Sequence, residues 1–378
     1  MESLVNIQKS DQFFGGAFTG KKIFVTGHTG FKGSWLCAWL LQLGAEITGY
    51  SLPPETKPAL FNQLGLESRL NHVIGDIRDP LKLSRALQKA GPDFIFHLAA
   101  QPLVRESYAK PVETFATNLM GTVNVLEAMR RLENPCAAIF ITTDKCYENR
   151  ERHRGYREED PLGGHDPYSA SKATAEIAIS SYRRSFFQNH PVKLASVRAG
   201  NVIGGGDWAA DRIVPDCIRA LQKKQPVPVR NKIATRPWQH VLEPLSGYLW
   251  LGSKISKLKT NDDKLFSAFN FGPNREANRS VRELVEEILK HWPGGWIDQA
   301  NPRAVHEAKL LYLETAKSFR LLKWKPVWDF SETVEQTVLG YRAAPKEPQG
   351  AHEFLLGQIS DYCAAAKRKK LPWSATTS

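Results

Sequence analysis

Short apolar runs alternate with longer amphipathic stretches along the chain up to about residue 200. Each apolar run predicts a buried strand, and the strands cover residues 21–27, 46–51, 72–77, 93–100, 136–143 and 193–200. Helical spacing predicts helices at residues 31–44, 79–91, 118–132 and 168–187. Repeated β-α-β units with nearly continuous apolar strands predict an α/β fold: a Rossmann-type, doubly wound parallel sheet with helices on both faces.

The alternating pattern weakens after residue 201, where prolines, glycines and tryptophans become more frequent. Helical spacing is again clear at residues 280–292 and 331–344. We therefore predict a Rossmann domain over residues 20–200, to which part of 238–272 returns. A smaller, mixed α/β substrate domain is predicted mainly over residues 201–378.

Composition places the 378-residue chain among ordinary globular proteins, with 42% apolar and 24% charged residues. It has no apolar run of the roughly 18 to 20 residues needed to span a membrane, and residues 1–16 lack the pattern of a secretion signal. The five cysteines are scattered, without a CxxC pair, which favours reduced thiols in the cytoplasm and no metal site. The net charge of +12 suits phosphate-bearing ligands; the basic run at 367–370 indicates a solvated tail more than a nucleic-acid contact.

The first predicted strand leads directly into "TGHTGFKG", in which Gly27, Gly30 and Gly33 recur every three residues. Glycines between a strand and a helix let the backbone approach a ligand, and the helix start offers free N–H groups to a diphosphate. This position predicts a dinucleotide site. Asp76, after the third strand, suits the amino group of adenine, although a helix cap is the alternative. The second strand lacks the acidic residue usual for NAD, and His28 and Lys32 would favour a 2′-phosphate instead.

"YSASK" places Tyr168 and Lys172 four residues apart, on one face of a helix. A tyrosine has an ordinary pKa of about 10, so acting as a base near neutral pH costs about 4 kcal/mol. A fixed ammonium group and a cationic nicotinamide both favour the phenolate. The pair therefore predicts proton abstraction beside a nicotinamide cofactor.

The order of these motifs resembles the extended short-chain dehydrogenase/reductases, and the resemblance extends over residues 21–330. In that superfamily, the strand before the Tyr-Lys pair ends in a Ser or Thr that holds the substrate hydroxyl, here Thr143. The nucleotide-sugar 4,6-dehydratases add an acid/base pair next to it, here Asp144 and Lys145. A lysine in the second place is similar to the branch that acts on CDP-glucose, as are "HLAAQPLVR", "RAGNVIGGGDWAADRIVPD" and "RPWQHVLEPLSGY".

The resemblance implies conversion of CDP-glucose to CDP-4-keto-6-deoxyglucose and water, with NAD as cofactor. Tyr168 and Lys172 would remove the 4-hydroxyl proton while C4 hydride leaves, and Thr143 would bind that hydroxyl. Asp144 would protonate the departing 6-hydroxyl, which requires a raised pKa. Lys145 would remove the C5 proton; the alternative is a charge partner that orients Asp144.

Further site residues follow from the same resemblance. The cofactor site is expected to include Gly27, His28, Thr29, Gly30, Phe31, Lys32, Gly33, Asp76, Ile77, Leu98, Ala99, Ala100, Asn118, Tyr168 and Lys172. The substrate site is expected to include Ser107, Thr143, Asn201, Arg219 and Arg236. Arg105 and Ser107 have loop capping as an alternative, Arg219 and Arg230 have ordinary surface positions, and His240 has packing.

Family resemblance also implies a homodimer or tetramer, formed by the helices that begin near residues 113 and 168. It implies deoxysugar biosynthesis, as in lipopolysaccharide O-antigen assembly, with no nucleic-acid or membrane partner. Another nucleotide-linked hexose (GDP-, UDP- or dTDP-) stays open as the substrate, because the base is recognised by loops. An epimerase and a non-catalytic NAD-sensing regulator are the remaining alternatives.

Overall fold

The computed structural model describes residues 13–259, 264–300 and 310–375, which form thirteen strands and thirteen α-helices. The strands are β1 (Lys22–Thr26), β2 (Glu46–Ser51), β3 (Asn71–Ile74), β4 (Phe94–His97), β5 (Cys136–Ile141), β6 (Val192–Arg198), β7 (Val202–Ile203), β8 (Val227–Val229), β9 (Thr235–Pro237), β10 (Gln239–His240), β11 (Ala268–Asn270), β12 (Asn278–Ser280) and β13 (Trp296–Asp298). The helices are α1 (Phe31–Gln42), α2 (Leu60–Gln63), α3 (Pro80–Ala90), α4 (Val104–Ala109), α5 (Pro111–Phe115), α6 (Gly121–Met129), α7 (Pro167–Ser185), α8 (Ile213–Gln222), α9 (Leu242–Ser256), α10 (Val281–His291), α11 (Ala316–Leu322), α12 (Phe330–Arg342) and α13 (Pro348–Arg368).

Seven strands form the central sheet in the order β11-β6-β5-β4-β1-β2-β3, and every neighbouring pair is parallel. The chain order reverses between β1 and β4, which is the point where open α/β sheets bind ligands beyond the carboxyl ends of their strands. The predicted fold class is confirmed. Residues 242–256 and 268–270 also join this layer, since α9 packs on β5 and β11 pairs with β6.

Helices cover both faces of the sheet, as the continuous apolar strands predict. On one face, α1, α9 and α13 contribute buried side chains such as Trp35, Leu249 and Ile359. On the other face, α3, α6 and α7 contribute a second core that includes Leu87 and Ile179. Both faces of the sheet are therefore covered by helices. The edge at the carboxyl ends of the strands is where a ligand-binding site is expected.

A third core lies among α8, α10 and α12 and the short strands β7 and β8, with Ile218, Leu284 and Val338 fully or almost fully buried. Three two-stranded pairings, β7 with β10, β8 with β13 and β9 with β12, accompany it. This is the smaller, mixed part of the chain that the loosened pattern indicates.

The C-terminal helix α13 lies elsewhere than the sequence suggested. Residues 348–368 were expected in the substrate-binding part, without a predicted helix, but the helix that they form packs against α1 and α2 of the large layer. Trp373 stacks on Phe14 with ring centroids 5.1 Å apart, so the first and last described segments close the same core. No helix among the described residues combines the length and apolarity needed to cross a bilayer.

Candidate active site

The glycine turn after β1 contains two glycines that the protein itself requires. Gly27 has φ +76°, and a β-carbon there would lie 2.6 Å from the Ala99 backbone nitrogen. A β-carbon at Gly33 would lie 2.1 Å from the Gly27 carbonyl oxygen. At Gly30 it would meet that same oxygen at 3.5 Å, an ordinary contact, with nothing else within 4 Å. The absence of a side chain at Gly30 therefore leaves an open surface on which the diphosphate of a ligand fits.

The helix that follows begins without a side-chain cap. Gly30, the residue before α1, has no side chain that could cap the helix, so it offers no acceptor to the first-turn N–H groups of Phe31, Lys32 and Gly33. These donors and the helix dipole suit a diphosphate. Residues 98–100 follow β4 beside the turn, where Ala99 donates its N–H to Thr26 Oγ1 at 3.3 Å. A dinucleotide fits this cradle.

The end of β2 carries hydroxyl groups instead of a carboxylate. Thr29 Oγ1 lies 2.9 Å from Ser51 Oγ and also donates to the Leu52 carbonyl oxygen at 2.9 Å. His28 does not supply a charge there. Its ring is fully buried, Nε2 lies 2.6 Å from His72 Nδ1, and burial lowers its pKa to about 3. A neutral, enclosed imidazole does not attract an anion, so His28 gives no support to the alternative of a 2′-phosphate and leaves NAD as the expected cofactor.

Lys32 also departs from the prediction. Its ammonium lies 5.9 Å from the ring centroid of Tyr248, a buried residue of α9. Burial, together with the charges of Arg212 and Lys172, lowers the pKa of Lys32 to about 8, although Asp144 acts to raise it. Lys32 therefore extends toward the Tyr-Lys and Asp-Lys residues, not toward an adenosine ribose.

The adenine end of the predicted cofactor site contains Asp76 and Ile77. Asp76 accepts hydrogen bonds from Arg78, whose Nη2 lies 2.6 Å away, and this partner lowers the pKa of Asp76. Asp79 caps α3 by accepting from the N–H groups of Leu81 and Lys82, so the capping alternative for Asp76 is wrong. The Asp76 side chain is 27% exposed and remains available to a donor.

Asn118 forms hydrogen bonds to residues of two segments that contribute to the predicted cofactor site. It lies in a π-helical turn, Ala116–Met120, and is 1% exposed. Its Oδ1 accepts from the Gln101 N–H at 2.8 Å, and its Nδ2 donates to the Gln101 carbonyl oxygen at 3.0 Å and to Ser171 Oγ at 2.9 Å. Asn118 therefore fixes the loop after β4 to α7, beside Lys172.

Tyr168 stands in the first turn of α7, where Pro167 and the capping residue Asp166 fix the start of the helix. The Tyr168 N–H donates to Ser107 Oγ at 3.1 Å, and Ser107 Oγ donates to the Val104 carbonyl oxygen at 2.6 Å. Ser107 has no exposed surface. It therefore has the capping role, and its predicted contact with the sugar is wrong.

The Tyr-Lys pair is buried at the open end of the sheet. Burial raises the pKa of Tyr168 to about 12, although a side-chain hydrogen bond with Thr143 and the charge of Arg212 lower it. Burial lowers the pKa of Lys172 to about 8, and the Glu176 carboxylate counteracts part of that effect. Both residues thus favour their neutral forms more than they would in water.

Thr143, Asp144 and Lys145 form a tight turn directly after β5. Thr143 Oγ1 donates to Asp144 Oδ1 at 3.0 Å and accepts from the Lys145 N–H at 3.3 Å. Asp144 is 1% exposed, and burial raises its pKa although Lys145, Thr143 and Arg236 lower it. A buried carboxyl with a raised pKa suits a proton donor. Lys145 is half-buried on the same turn.

Two predicted substrate residues adjoin Asp144. Asn201, which has φ +49°, directs Nδ2 to Asp144 Oδ2 at 3.5 Å. Arg236 is 9% exposed, and its charge acts on the Asp144 carboxyl. A β-carbon at Gly200 would lie 1.9 Å from Asp144 Oδ2, so glycine is required for the carboxylate to take this position.

Other candidates are held away from the catalytic turn. Arg219 donates to Asp216 at 2.6 Å and to the Trp208 and Ala209 carbonyl oxygens at 3.2 Å, so it fastens a loop instead of facing the site. Arg230 forms ion pairs with Asp211 and Asp216, and Arg105 forms one with Asp211. His240 is fully buried and packs against Trp35 and Trp328.

Arg212 was not predicted, although the structure directs its charge at the site. Its Nη1 donates to Asp207 at 2.8 Å, and its charge lowers the pKa of Tyr168. It lies in "ADRIVP", directly before α8 and after the glycine-rich segment 204–206. An arginine that follows such a segment was the available signal. No cluster of three or more potential metal ligands occurs within residues 13–259, 264–300 and 310–375.

Comparison with known proteins gives a match over most of the chain. The profile of the GDP-mannose 4,6 dehydratase family matches residues 24–337. The chain belongs to this family. It is 45% identical to a CDP-glucose 4,6-dehydratase of Salmonella typhimurium, over 92% of this chain and 98% of that protein. It is also 29% identical to a CDP-paratose 2-epimerase of Salmonella typhi, over 70% and 82% of the two chains. The resemblance predicted from the sequence is confirmed.

Solved structures agree on the fold. A dTDP-glucose 4,6-dehydratase from Streptomyces venezuelae, with NAD bound, superposes with a TM-score of 0.72 at 23% identity, over 85% of this chain and 97% of that one. A UDP-glucose 4-epimerase from Thermus thermophilus, also in complex with NAD, gives 0.72 at 24% identity, over 85% and 99%.

Proposed function

We propose that the protein is an NAD-dependent dehydratase that converts CDP-glucose to CDP-4-keto-6-deoxyglucose and water. The observation that carries this proposal is the buried Asp144, whose raised pKa and contact with Thr143 put a proton donor beside the Tyr168 phenol. An epimerase, which only oxidises and reduces one carbon, has no use for such a donor. The 45% identity to a CDP-glucose 4,6-dehydratase supports the substrate.

Oxidation at C4 comes first. Thr143 binds the 4-hydroxyl, and Tyr168 takes its proton. NAD bound at the glycine turn would supply the hydride chemistry, uptake from C4 and return to C6. Burial alone keeps Tyr168 protonated, so the phenolate forms in the presence of the positive charges of Lys172, Arg212 and the oxidised cofactor.

Elimination of water follows. The 4-ketone acidifies the C5 proton, which Lys145 removes as the base and returns to C5 when C6 takes up hydride. Asp144 donates its proton to the 6-hydroxyl as the C6–O bond breaks, and water leaves. The Thr143 hydroxyl contacts Asp144, so the group that binds the C4 oxygen adjoins the group that protonates the 6-hydroxyl.

The second part of the chain binds the nucleotide. In this proposal residues 20–200, with α9 and β11, form the NAD-binding domain, and residues from 201 onward mainly bind the nucleotide sugar. Asn201 and Arg236 contact the sugar and diphosphate beside Asp144, and Arg212 adds a cation whose charge acts on Tyr168. The planar guanidinium groups suit phosphate oxygens.

NAD is favoured over NADP by the end of β2. Thr29 and Ser51 present hydroxyl groups there, while His28 is neutral and enclosed and Lys32 extends toward the catalytic residues. Ribose hydroxyls fit this surface better than a 2′-phosphate does.

We further propose a homodimer that acts in the cytoplasm, in deoxysugar biosynthesis such as lipopolysaccharide O-antigen assembly. Exposed apolar side chains on the helical layer of α4 to α7 support the dimer: Val112 is 77%, Met120 51% and Ile177 55% exposed. All five cysteines are buried free thiols, consistent with a reducing compartment.

A panel of nucleotide sugars tests the substrate. The purified protein is incubated with CDP-glucose, dTDP-glucose, UDP-glucose and GDP-mannose, and the 4-keto product is followed by its absorbance in alkali. We expect product from CDP-glucose in preference to the others. A product formed mainly from another nucleotide sugar would identify that sugar as the substrate. Conversion of the hexose to its epimer without loss of water would identify an epimerase.

A further inference from the structure

A buried ion pair lies directly behind the catalytic turn. Arg198 of β6 and Glu176 of α7 are joined by an Nη2–Oε2 distance of 2.9 Å, and their side chains are 4% and 2% exposed. Burial opposes the charge on Glu176, but Arg198 and hydrogen bonds from Thr142 and Ser196 outweigh it and lower the pKa of Glu176. The carboxylate is therefore charged at neutral pH, in a place where an unpaired charge is costly.

The pair holds both ends of the catalytic turn. At the beginning of the turn, Thr142 donates its hydroxyl to Glu176 Oε1 at 2.6 Å. At its end, Arg198 Nη1 donates to Tyr147 Oη at 2.7 Å. Tyr147 Oη in turn donates to Asn270 Oδ1 at 2.7 Å, which fixes the turn to β11. The Glu176–Arg198 ion pair therefore fixes the residues on both sides of Thr143, Asp144 and Lys145.

Glu176 also faces the Tyr-Lys pair. It follows Lys172 by one helical turn, at four residues, so the two side chains lie on the same face of α7. Burial lowers the pKa of Lys172 to about 8, and Glu176 is the largest influence that raises it. The helix therefore carries Tyr168, Lys172 and Glu176 in a row, as phenol, ammonium and carboxylate.

Groups from three other elements face the Lys172 ammonium. His97 of β4 is buried with its pKa lowered to about 3, so it is neutral. Cys146 is buried and its thiol pKa is raised, so it is also neutral near pH 7. Lys32 of α1 is a cation and repels Lys172. Among these groups Glu176 supplies the negative charge.

We propose that Glu176 is a positioning residue of the reaction, which holds the catalytic turn in register and keeps the Lys172 ammonium charged. The inference rests on the proposed function for its kinetic consequence. Because the charged form of Lys172 supports the Tyr168 phenolate, activity falls at alkaline pH as Lys172 loses its proton. Removing the Glu176 charge moves that loss to lower pH.

The test compares Glu176→Gln with Thr142→Val. The first removes the charge and keeps the side-chain shape, and the second removes one anchoring hydrogen bond and keeps the charge. We expect the alkaline limb of the kcat profile to move down by about one pH unit in Glu176→Gln. In Thr142→Val we expect a lower kcat with the limb unmoved. An unmoved limb in Glu176→Gln, or an equal shift in both variants, would overturn the proposal.

Two additions keep the result interpretable. If Glu176→Gln does not fold because Arg198 is left uncompensated, the double variant Glu176→Gln with Arg198→Met removes both charges and is expected to show a shift in the same direction, smaller because a cation is lost as well. The ionisation of Lys172 is also read without turnover, by pH-dependent acetic anhydride labelling and mass spectrometry. A labelling curve that coincides with that of the wild type overturns the inference, whereas wild-type inactivity on CDP-glucose overturns the proposed function alone.

Discussion

The Asn201 amide nitrogen lies 3.5 Å from Asp144 Oδ2. This contact joins the turn after β5 to the first residue of the chain segment that leaves the sheet after β6. The proposed acid is therefore placed where the two parts of the protein meet, and a sugar bound between them has its reacting carbons beside a buried carboxyl.

The glycine turn predicts two different outcomes for the same substitution. Gly33→Ala places a β-carbon 2.1 Å from the Gly27 carbonyl oxygen, so it is expected to destabilise the fold by about 3 kcal/mol. Gly30→Ala meets ordinary contact distances and is expected to fold like the wild type. Its added methyl group covers the diphosphate surface and should weaken NAD binding by about tenfold or more. Thermal unfolding and NAD titration measure the two effects; NAD affinity unchanged in Gly30→Ala would place the cofactor elsewhere.

Lys145 is predicted to be the base at C5. Lys145→Ala should slow exchange of the C5 proton with deuterated water by roughly 10²- to 10⁴-fold, the usual contribution of a general base. Oxidation at C4, which depends on Tyr168 and Thr143, should continue and reduce bound NAD. Mass spectrometry of recovered sugar measures the exchange. Exchange at the wild-type rate would leave Lys145 as a charge partner that orients Asp144, the alternative that the sequence left open.

Glu243 of α9 predicts a pH-dependent stability away from the active site. Its carboxylate accepts from the N–H groups of Val327 and Trp328 and from Tyr362 Oη, at 2.9, 2.7 and 2.8 Å. Burial raises its pKa from 4.5 to about 7, although these donors lower it. A raised folded-state pKa stabilises the fold below about pH 4.5, and this stabilisation is lost as the pH rises through about 7.

The loss amounts to at most about 3 kcal/mol, from a shift of roughly 2.5 pH units at 1.36 kcal/mol each. Glu243→Gln imitates the protonated acid, so the fall in Tm between about pH 5 and about pH 8 should be smaller than in the wild type. Thermal unfolding at both pH values provides the measurement. An equal fall in both proteins would assign the pH dependence to other groups.

The proposed homodimer depends on the exposed apolar side chains of α5 and α7. Val112→Arg together with Ile177→Arg should convert the wild-type dimer to a monomer, because two buried cations would face their symmetry copies. Sedimentation at micromolar concentration measures the state. Leu81→Arg, at a 65% exposed site on α3, is the matched control and should leave the dimer intact. A dimer that survives the double substitution contradicts this interface.

The sequence predicted those features that depend on short-range pattern. The order of strands and helices, the glycine turn, and the spacing of Tyr168 and Lys172 are local, so periodicity and spacing were sufficient for them. The direction in which a long side chain extends depends on residues that are distant in the sequence. Lys32 was expected at the cofactor ribose, yet α9 supplies the Tyr248 ring on which it lies, more than 200 residues away in sequence.

Burial decided the remaining differences. Ser107 looks like a polar loop residue in the sequence, but its hydroxyl oxygen accepts a hydrogen bond from the Tyr168 N–H in the first turn of α7. Arg212 reads as one of many arginines, and its position opposite Tyr168 depends on how Asp207 holds it. The helix α13 was not predicted, and it packs on the large layer because its buried residues, such as Leu355 and Ile359, complete the core around α1.

The most direct measurement of the central claim is a single turnover of Asp144→Asn with CDP-glucose, followed by NADH absorbance and by the product formed. The asparagine keeps the size and the hydrogen bond to Thr143 but has no proton to give to the 6-hydroxyl. We expect NADH to form and persist while release of water slows by roughly 10²- to 10⁴-fold. Dehydration at the wild-type rate, with no accumulation of NADH, would contradict it.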